Sequence, residues 1–306
     1  MKKAVYYGIR DVRVEDVEEP KAGHDEVKVK IKYCGICGSD LHEYLHGPFP
    51  ESPFGHEVCG EVVEVGADIK DFKLGDHVAT FVRDGYAEYL VAPRDRTLKL
   101  PSDMDWKRAA VLEPLAGAVY ALERGNVQPG DTVFIAGAGP VGLLLLIALK
   151  TIGVKTVYIT DLSEKRRALA EKLGATASFS PADTKMPPKI RELTGGKGVD
   201  VAIEAVGIEA TLKDCLASTR HGGTVIVQGI FTERALVHML GFVTREITMI
   251  GANSINPERA LELLTTKQIA PESIVTSITS LSTIVEGGFE MLANHKDEEI
   301  KILVEP

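Results

Sequence analysis

Residues 132–142 read TVFIAGAGPVG, an apolar strand followed by three glycines in the spacing G-x-G-x-x-G. Gly137 permits a tight turn, Gly139 lets a pyrophosphate approach the backbone, and Gly142 lets a helix pack closely on the strand. Pro140 suits the first turn of that helix, whose N-terminus attracts phosphate. The stretch therefore predicts a dinucleotide site, and a purely structural glycine turn is the alternative. The residues assigned to the site are Gly137, Gly139, Pro140, Val141 and Gly142.

The identity of the dinucleotide depends on Asp161, which follows the next apolar strand, nineteen residues after Gly142. A carboxylate there accepts hydrogen bonds from both ribose hydroxyls of NAD and repels the 2′-phosphate of NADP. The basic run 165–167 could instead favour a phosphate, but charge runs on helices are mostly solvated. We therefore expect NAD. Further residues assigned to the cofactor are Arg166, Val206, Gly207 and Gly229.

Two sequence patterns divide the chain near Pro114. Before it, short strands such as Glu26–Tyr33 alternate apolar residues with lysines and are separated by glycine turns, which predicts an antiparallel, barrel-like domain. After it, strands alternate with helices, which predicts a parallel, doubly wound Rossmann sheet. The predicted fold class is α/β. We expect residues 116–253 to form the NAD-binding domain, and residues 1–115 and 254–306 to form the other domain.

The composition is that of a globular chain, with 44% hydrophobic and 26% charged residues among 306. A net charge of -9 repels phosphate backbones, so we expect no nucleic-acid partner. Four cysteines are too few for a disulfide scaffold and no leader opens the chain, which predicts a cytoplasmic protein. Residues 132–149 are uncharged, but their glycines interrupt the run, so we expect no membrane span.

Three short motifs carry residues that can bind a metal. These are Cys37 in GICGSDLH, His56 and Glu57 in FGHE, and Glu113 in LEPL. Cysteine, histidine and carboxylate are zinc ligand types, and a catalytic zinc has three protein ligands and one open position. Each signal alone is weak, because a single cysteine or histidine is more often a core residue. Their succession ahead of a dinucleotide-binding fold favours a catalytic zinc site.

Cys34 and Cys37 also form a C-x-x-C pair. Such a pair can be a redox centre, but the thioredoxin-like context that usually accompanies it is absent from the pattern. We therefore interpret Cys34, Cys59 and Cys215 as plain thiols.

The order of these motifs resembles the zinc-dependent medium-chain alcohol and polyol dehydrogenases. The resemblance extends over essentially the whole chain and includes GHEVCGEVVEVG, AAVLEPL, GAGPVG and HKDEEIKIL. Within the family, the chain is most similar to the 2,3-butanediol and sorbitol dehydrogenases. The resemblance implies a GroES-like catalytic domain, discontinuous in sequence around a Rossmann domain, and hydride transfer between NAD and a secondary alcohol. A vicinal diol, a polyol or a hydroxyketone is the expected substrate.

The resemblance also implies roles for the metal-binding candidates. Cys37 and His56 would be zinc ligands, with Glu57 bound directly or exchanging with water. Glu113 stands where alcohol dehydrogenases have a second cysteine and would be a further ligand, direct or through water. Asp40 would orient the His56 ring. The alternative for Glu113 is a structural carboxylate at a helix start.

A proton relay is implied as well. Ser39 would lie beside the substrate oxygen, and His42 would complete the route of the released proton to solvent. A hydroxyl can pass a proton on, and a histidine titrates near neutrality. The alternative for Ser39 is a residue that caps a helix over residues 39–45.

The chain departs from the family pattern where Gly75–Val78 runs on to Asp84–Tyr89 with no inserted lobe between them. Most family members insert a lobe with four cysteines for a structural zinc there. We therefore expect one catalytic zinc per subunit and no structural zinc, in a homodimer or homotetramer. The competing hypotheses are a zinc-free quinone or enone reductase of the same superfamily and a catalytically silent NAD-binding protein.

Overall fold

The computed structural model describes residues 1–48, 54–266 and 269–306. They form two compact units, Met1–Glu113 with Ala270–Pro306, and Pro114–Ile269. In chain order the strands are β1 (Lys2–Gly8), β2 (Asp11–Asp16), β3 (Glu26–Gly35), β4 (Glu57–Val65), β5 (His77–Thr80), β6 (Tyr89–Pro93), β7 (Thr97–Lys99), β8 (Thr132–Ala136), β9 (Thr156–Thr160), β10 (Ala177–Phe179), β11 (Val199–Glu204), β12 (Thr219–Val227), β13 (Thr248–Gly251), β14 (Val275–Ser280) and β15 (Lys301–Glu305).

The helices follow the same order along the chain. They are α1 (Gly38–His46), α2 (Trp106–Ala110), α3 (Leu112–Arg124), α4 (Pro140–Thr151), α5 (Glu164–Lys172), α6 (Met186–Leu193), α7 (Glu209–Ser218), α8 (Met239–Thr244), α9 (Pro257–Thr266) and α10 (Glu290–Asn294). Short 3₁₀ turns occupy Arg94–Arg96, Pro271–Ile274 and Leu281–Thr283, and a π-helical turn, Val285–Phe289, leads into α10. No helix in the described part of the chain has the length and apolar character needed to cross a bilayer.

The first unit is built on a seven-stranded sheet in the order β14-β15-β3-β4-β5-β7, with β6 also paired to β3. Apart from the parallel pair β14–β15, its neighbours are antiparallel. Val27, Val29 and Ile31 of β3 are buried, as the alternation predicts. Lys28 is buried too, because its ammonium pairs with Glu19. The antiparallel domain expected from the strand pattern is confirmed.

The second unit contains a six-stranded, all-parallel sheet in the order β10-β9-β8-β11-β12-β13. The chain winds outward from β8 through β9 to β10, then returns to the other side of β8 and continues with β11. That reversal is the topological switch point at which doubly wound sheets bind dinucleotides. The Rossmann prediction is confirmed, and residues 132–149 form β8, the glycine loop and most of the buried helix α4 rather than a membrane span.

Helix α9 lies in the second unit, whereas the sequence pattern predicts that residues 254–306 return to the first domain. The helix is held at its start, because the Asn256 N–H donates to the Ala116 carbonyl (3.1 Å) and the Asn256 amide donates to Glu123 Oε2 (2.7 Å). Both partners belong to α3. The chain re-enters the first unit only at Ala270.

Candidate active site

Cys37 is placed by the end of β3 and the start of α1. It is the N-cap residue of α1, and its backbone N–H donates to Asp40 Oδ2 at 3.0 Å. A carboxylate at the third helical position that reaches back to the N-cap N–H is half of a capping box. The cap fixes where the helix begins, and it leaves the Cys37 side chain half-buried beside that point.

His56 and Glu57 lie where β4 begins, next to the end of β3. The antiparallel register pairs Glu57 with Gly35, two residues before Cys37. A Cβ on Gly35 would lie 2.0 Å from Glu57 Oε2 and 3.0 Å from Lys301 Cε, so a larger residue there would displace this buried pair. The pairing of β3 with β4 therefore brings the candidate ligands of two sequence motifs together.

The predicted ligands Cys37, His56 and Glu57 form a close group in the structure. The Cys37 sulfur, a His56 ring nitrogen and a Glu57 oxygen lie within 4.8 Å of one another. Ligands of one zinc lie about 2.0–2.3 Å from the ion and hence roughly 3.5 Å apart, so small side-chain rotations would let all three share it. Among the described residues no other group of three His, Cys, Asp or Glu side chains comes this close.

The carboxylate of Glu57 gives an independent test of whether a metal fits. Glu57 is 1% exposed, and its Oε1 has no hydrogen-bond partner in the part of the chain that the structure describes. An unsatisfied buried carboxylate oxygen is costly, and such atoms usually have a missing ion or water as their partner. A cation held with Cys37 and His56 would satisfy it, so the residues present fit a zinc ion.

Asp40 connects the elements around this group. Its carboxylate is fully buried and accepts hydrogen bonds from the Gly55 N–H (3.2 Å) and the Tyr86 hydroxyl (2.6 Å). Oδ1 of Asp40 also lies 3.7 Å from His56 Nδ1. A carboxylate held this firmly can fix the orientation of the imidazole, which is the role that the resemblance implies for it.

The charges around the group favour a cation. Burial disfavours the imidazolium form of His56, but the negative charges of Cys37 and Asp40 outweigh it and raise the pKa of His56 well above its ordinary value. Burial raises the pKa of Glu113 to about 7; the positive charges of His56 and Lys301 oppose this rise, and the negative charges of Glu57 and Asp40 add to it. Without a metal, these groups therefore retain protons that a divalent cation can replace.

Glu113 is the second residue of α3 and is not part of the close group. Its pKa responds to the charges of His56, Glu57 and Lys301, so its carboxyl lies within their electrostatic reach. The structure thus brings three of the four predicted ligands together and leaves the fourth nearby, in a position consistent with an indirect ligand.

Lys301, on the final strand β15, is a residue of this site to which the sequence pattern assigns no role. Its ammonium contacts Glu57 Oε2 and donates to the Ile36 carbonyl at 2.9 Å, and both Lys301 and Glu57 side chains are 1% exposed. Burial alone would lower the pKa of Lys301, but the charge of Glu57 reverses the effect and the pKa is raised. The available signal was a lysine inside the apolar run 300–304, where a buried charge needs a partner.

The predicted relay residues Ser39 and His42 both lie on α1. Ser39 is buried, and its hydroxyl has no hydrogen-bond partner among the described residues. His42 is half-buried and lies one turn further along the helix. Residues three apart on a helix share a face, so the hydroxyl and the imidazole can belong to one proton route.

The other three cysteines, which we interpret as plain thiols, are all buried. Burial raises the pKa of the Cys34 and Cys215 thiols well above the ordinary value and that of Cys59 to about 12. Only the thiolate is a nucleophile or a metal ligand. Burial therefore favours the protonated form of these three thiols.

In the second unit, the glycine motif forms the turn between β8 and α4. Gly137 has a φ of +106°, and Gly139 is the N-cap residue of α4, with Pro140 and Val141 in its first turn. A Cβ on Gly142 would lie 1.9 Å from the Gly137 carbonyl oxygen. Only glycine at position 142 therefore allows α4 to pack this closely against the end of β8. The structure places the five predicted residues in the turn before α4 and in the first turn of that helix.

Asp161 lies directly after β9 and is tied to this loop. Its carboxylate accepts hydrogen bonds from the Ala138 N–H (2.8 Å) and the Ser163 N–H (2.9 Å). Arg166 Nη1 lies 4.0 Å from Asp161 Oδ2, and its side chain is only 18% exposed. Arg166 thus turns back towards the glycine loop, which agrees with its assignment to the cofactor. Of the run 165–167, which we expect to be mostly solvated, Lys165 is exposed, whereas Arg166 and Arg167 are half-buried and Arg167 donates to two backbone carbonyls.

Val206, Gly207 and Gly229 lie just beyond the ends of β11 and β12, beside the loop. The buried Glu204 organises them, because its carboxylate accepts hydrogen bonds from the Val206 and Gly207 N–H groups, both at 2.9 Å. A Cβ on Gly137 would lie 2.6 Å from the Val206 side chain. All the predicted cofactor residues therefore gather at the carboxyl edge of the parallel sheet.

Comparison with known proteins agrees with this geometry. Residues 140–266 match the family described as zinc-binding dehydrogenase, and residues 23–102 match the alcohol dehydrogenase GroES-like domain. The (R,R)-butanediol dehydrogenase of Bacillus subtilis (strain 168) is 34% identical, with 100% of both chains covered. The chain belongs to the zinc-binding medium-chain dehydrogenases.

Other members of these dehydrogenases are similar to the chain as well. The sorbitol dehydrogenase of the same Bacillus subtilis strain is 31% identical, covering 100% of this chain and 97% of that protein. The crystal structure of 2R,3R-butanediol dehydrogenase from Bacillus subtilis superposes with a TM-score of 0.92 at 33% identity, covering 100% and 99% of the two chains. The alignment with the first relative spans 348 positions, so that relative has insertions that this 306-residue dehydrogenase lacks.

Proposed function

We propose that the chain is an NAD-dependent, zinc-containing dehydrogenase that transfers a hydride between NAD and a secondary alcohol, with a vicinal diol, a polyol or a hydroxyketone as substrate. The observation that carries the proposal is the close group of Cys37, His56 and the buried Glu57, whose Oε1 has no hydrogen-bond partner among the described residues. Relatives named butanediol and sorbitol dehydrogenases support the substrate class.

Each residue of the group has a distinct part in this proposal. Zinc supplies a positive charge that stabilises negative charge on a substrate oxygen. Cys37 and His56 would hold the ion, with Glu57 bound to it directly or through water. Glu113 would be a further oxygen ligand, directly or through water, and Asp40 keeps the His56 ring in position. A ligand set with carboxylate oxygens is chemically harder than one made of thiolates. It suits a substrate that brings a second hydroxyl or carbonyl oxygen.

The proton of the alcohol hydroxyl passes to side chains on α1. The Ser39 hydroxyl accepts it while giving up its own, and His42 holds the proton before solvent takes it. The buried, unpaired Ser39 hydroxyl supports this route, because a donor or acceptor without a partner is available to a substrate.

A single zinc per chain is part of the proposal. The described residues contain one close ligand group. A short connection stands where the lobe for a structural zinc would be inserted. It is hydrogen-bonded to the residues before His56: the Asp84 N–H donates to the Phe54 carbonyl (2.9 Å), and the Gly85 N–H donates to the Gly55 carbonyl (2.8 Å). These bonds support a closed connection at this point.

The experiment that tests the function compares diols, polyols, threonine and simple secondary alcohols as substrates for NAD reduction by the purified protein. We expect the fastest NADH formation with a vicinal diol, and loss of the reaction on zinc chelation. Reduction of quinones or enones by NADPH without alcohol oxidation would instead identify the zinc-free reductase. Absence of any turnover in zinc-loaded protein would identify a silent NAD-binding protein.

The preference for NAD rests on Asp161 in this proposal. Asp161→Asn removes the charge while keeping a side-chain acceptor for the loop N–H groups. A hydrogen bond to a charged group contributes about 1.5–3 kcal/mol, so KM for NAD should rise by about tenfold or more. The preference of the enzyme for NAD over NADP should become smaller. The exposed Asp183, changed to Asn, is the matched control and should leave KM unchanged. A wild-type protein that works better with NADP contradicts the assignment.

We also propose a homodimer or homotetramer in the cytoplasm. Leu240 and Val243 of α8 are 67% and 64% exposed, and β13, at the edge of the sheet, pairs only with β12 among the described strands. An apolar patch beside a free strand edge suits pairing with a second copy about a twofold axis. Light scattering on the wild type should give the mass of a dimer or tetramer. The variant Leu240→Glu should shift the measured mass towards that of a monomer. A monomeric wild-type protein contradicts the proposal.

The four free thiols support a reducing compartment such as the cytoplasm.

A further inference from the structure

Helix α1 carries a second histidine, which the proposed function does not use. Ser39, His42 and His46 are spaced three and four residues apart, so they lie on one face of the helix. Ser39 is buried, His42 is half-buried and His46 is exposed. Along this face, groups able to carry a proton therefore run from the residues next to Cys37 to the protein surface.

The two imidazole rings are in contact. Their centroids lie 4.9 Å apart, with an interplanar angle of 42°. At this separation one bridging water can link the ring nitrogens and carry a proton between them. Burial lowers the pKa of His42, and the charge of His46 lowers it further, so the two rings also influence each other electrostatically.

The other charged groups near α1 act mainly on different parts of the helix. Glu43 is the additional group whose charge acts on His42, in the direction opposite to His46. From β1, the Tyr6 hydroxyl donates to the Glu43 carbonyl at 2.9 Å. Arg10 and Glu290 meet at Tyr44, the guanidinium 5.8 Å from the centre of its ring. Glu51 lies outside the described residues.

We propose that His46 is the solvent-side station of the proton route, receiving from His42 the proton released by the substrate. The proposal rests on the proposed function, in which His42 takes up that proton. The imidazolium of His42 gives its proton to the neutral ring of His46 and becomes neutral. His46 then gives the proton to water or a buffer base, so both rings return to their starting state with one proton released per alcohol oxidised.

The test measures proton release directly, with an indicator dye in weakly buffered solution during a single turnover with NAD and a diol. In His46→Gln, proton release should slow by about three- to tenfold, less than the 10²-fold or more typical of losing a primary acid–base group. Added imidazole should restore the rate. His46→Phe keeps the ring contact but carries no proton, so it should be as slow as His46→Gln. His221→Gln, whose side chain is 65% exposed in the second unit, is the matched control and should behave like wild type.

A second readout does not depend on turnover. In an NMR titration of the imidazole protons, His46→Gln should raise the pKa of His42, because the like charge beside it is removed. If the wild type oxidises diols but His46→Gln releases protons at the wild-type rate, or His46→Phe restores that rate, the His46 proposal is overturned and the proposed function stands. If the wild type oxidises no alcohol, the proposed function fails and the His46 route fails with it.

Discussion

Changing Cys37 to alanine should abolish alcohol oxidation. The thiolate is the softest ligand in the close group, and its loss leaves only the histidine and the carboxylates of Glu57 and Glu113 to hold the ion. A bound zinc contributes several kcal/mol to catalysis, so turnover should fall on the order of 10³-fold or more, with zinc lost from the protein. NAD affinity, measured by fluorescence titration, should be unchanged, because the glycine loop belongs to the second unit.

Cys34→Ala is the matched control for this variant. Cys34 is three residues away and buried, and its burial keeps the thiol protonated by raising its pKa. Cys34→Ala should therefore retain zinc and most of the activity. If both variants lose activity equally, the C-x-x-C redox interpretation gains support. If Cys37→Ala retains activity, the metal site has been assigned incorrectly.

Changing Lys301 to methionine should have the second large effect, on stability and on zinc affinity together. The variant leaves Glu57 buried without its cation, and breaking a buried ion pair in this way costs about 3–5 kcal/mol. Zinc can replace the lost ammonium as the partner of Glu57. The metal-free variant should therefore melt well below the metal-free wild type, and zinc should raise its Tm by more than it raises that of the wild type.

Two further variants separate this effect from a general loss of folding. Lys301→Arg keeps the charge and should recover most of the stability. Lys32→Met breaks the Lys32–Glu305 pair, whose side chains are 42% and 44% exposed, and should cost no more than about 1 kcal/mol. Equal zinc-induced shifts in Tm for Lys301→Met and wild type would show that Lys301 does not compete with the metal for Glu57.

Much of the fold could be predicted from local patterns in the sequence. The alternation in Glu26–Gly35 and the strand–glycine–helix pattern from Thr132 each specify a secondary structure within one short stretch. The cofactor residues could be predicted as well, because parallel strands place their carboxyl ends at one edge. The extent of the second unit could not, since Asn256 is held by partners in α3 more than a hundred residues earlier in the chain.

The candidate site was less predictable where distant strands meet. Cys37, His56 and Glu57 carry recognisable motifs, and the resemblance linked them. Lys301 lies 265 residues from its hydrogen-bond partner Ile36, and only the pairing of β15 with β3 brings them together. Arg166 could be assigned to the cofactor from the sequence, but the sequence does not show that its side chain turns back to Asp161. Such contacts depend on tertiary packing rather than on sequence spacing.

The zinc content of the purified protein tests the central claim most directly. Elemental analysis after zinc loading and removal of excess metal should give one zinc per chain in the wild type. The same measurement on Cys37→Ala should give none. Two zinc ions per wild-type chain, or none after loading, would contradict a single catalytic zinc at Cys37, His56 and Glu57.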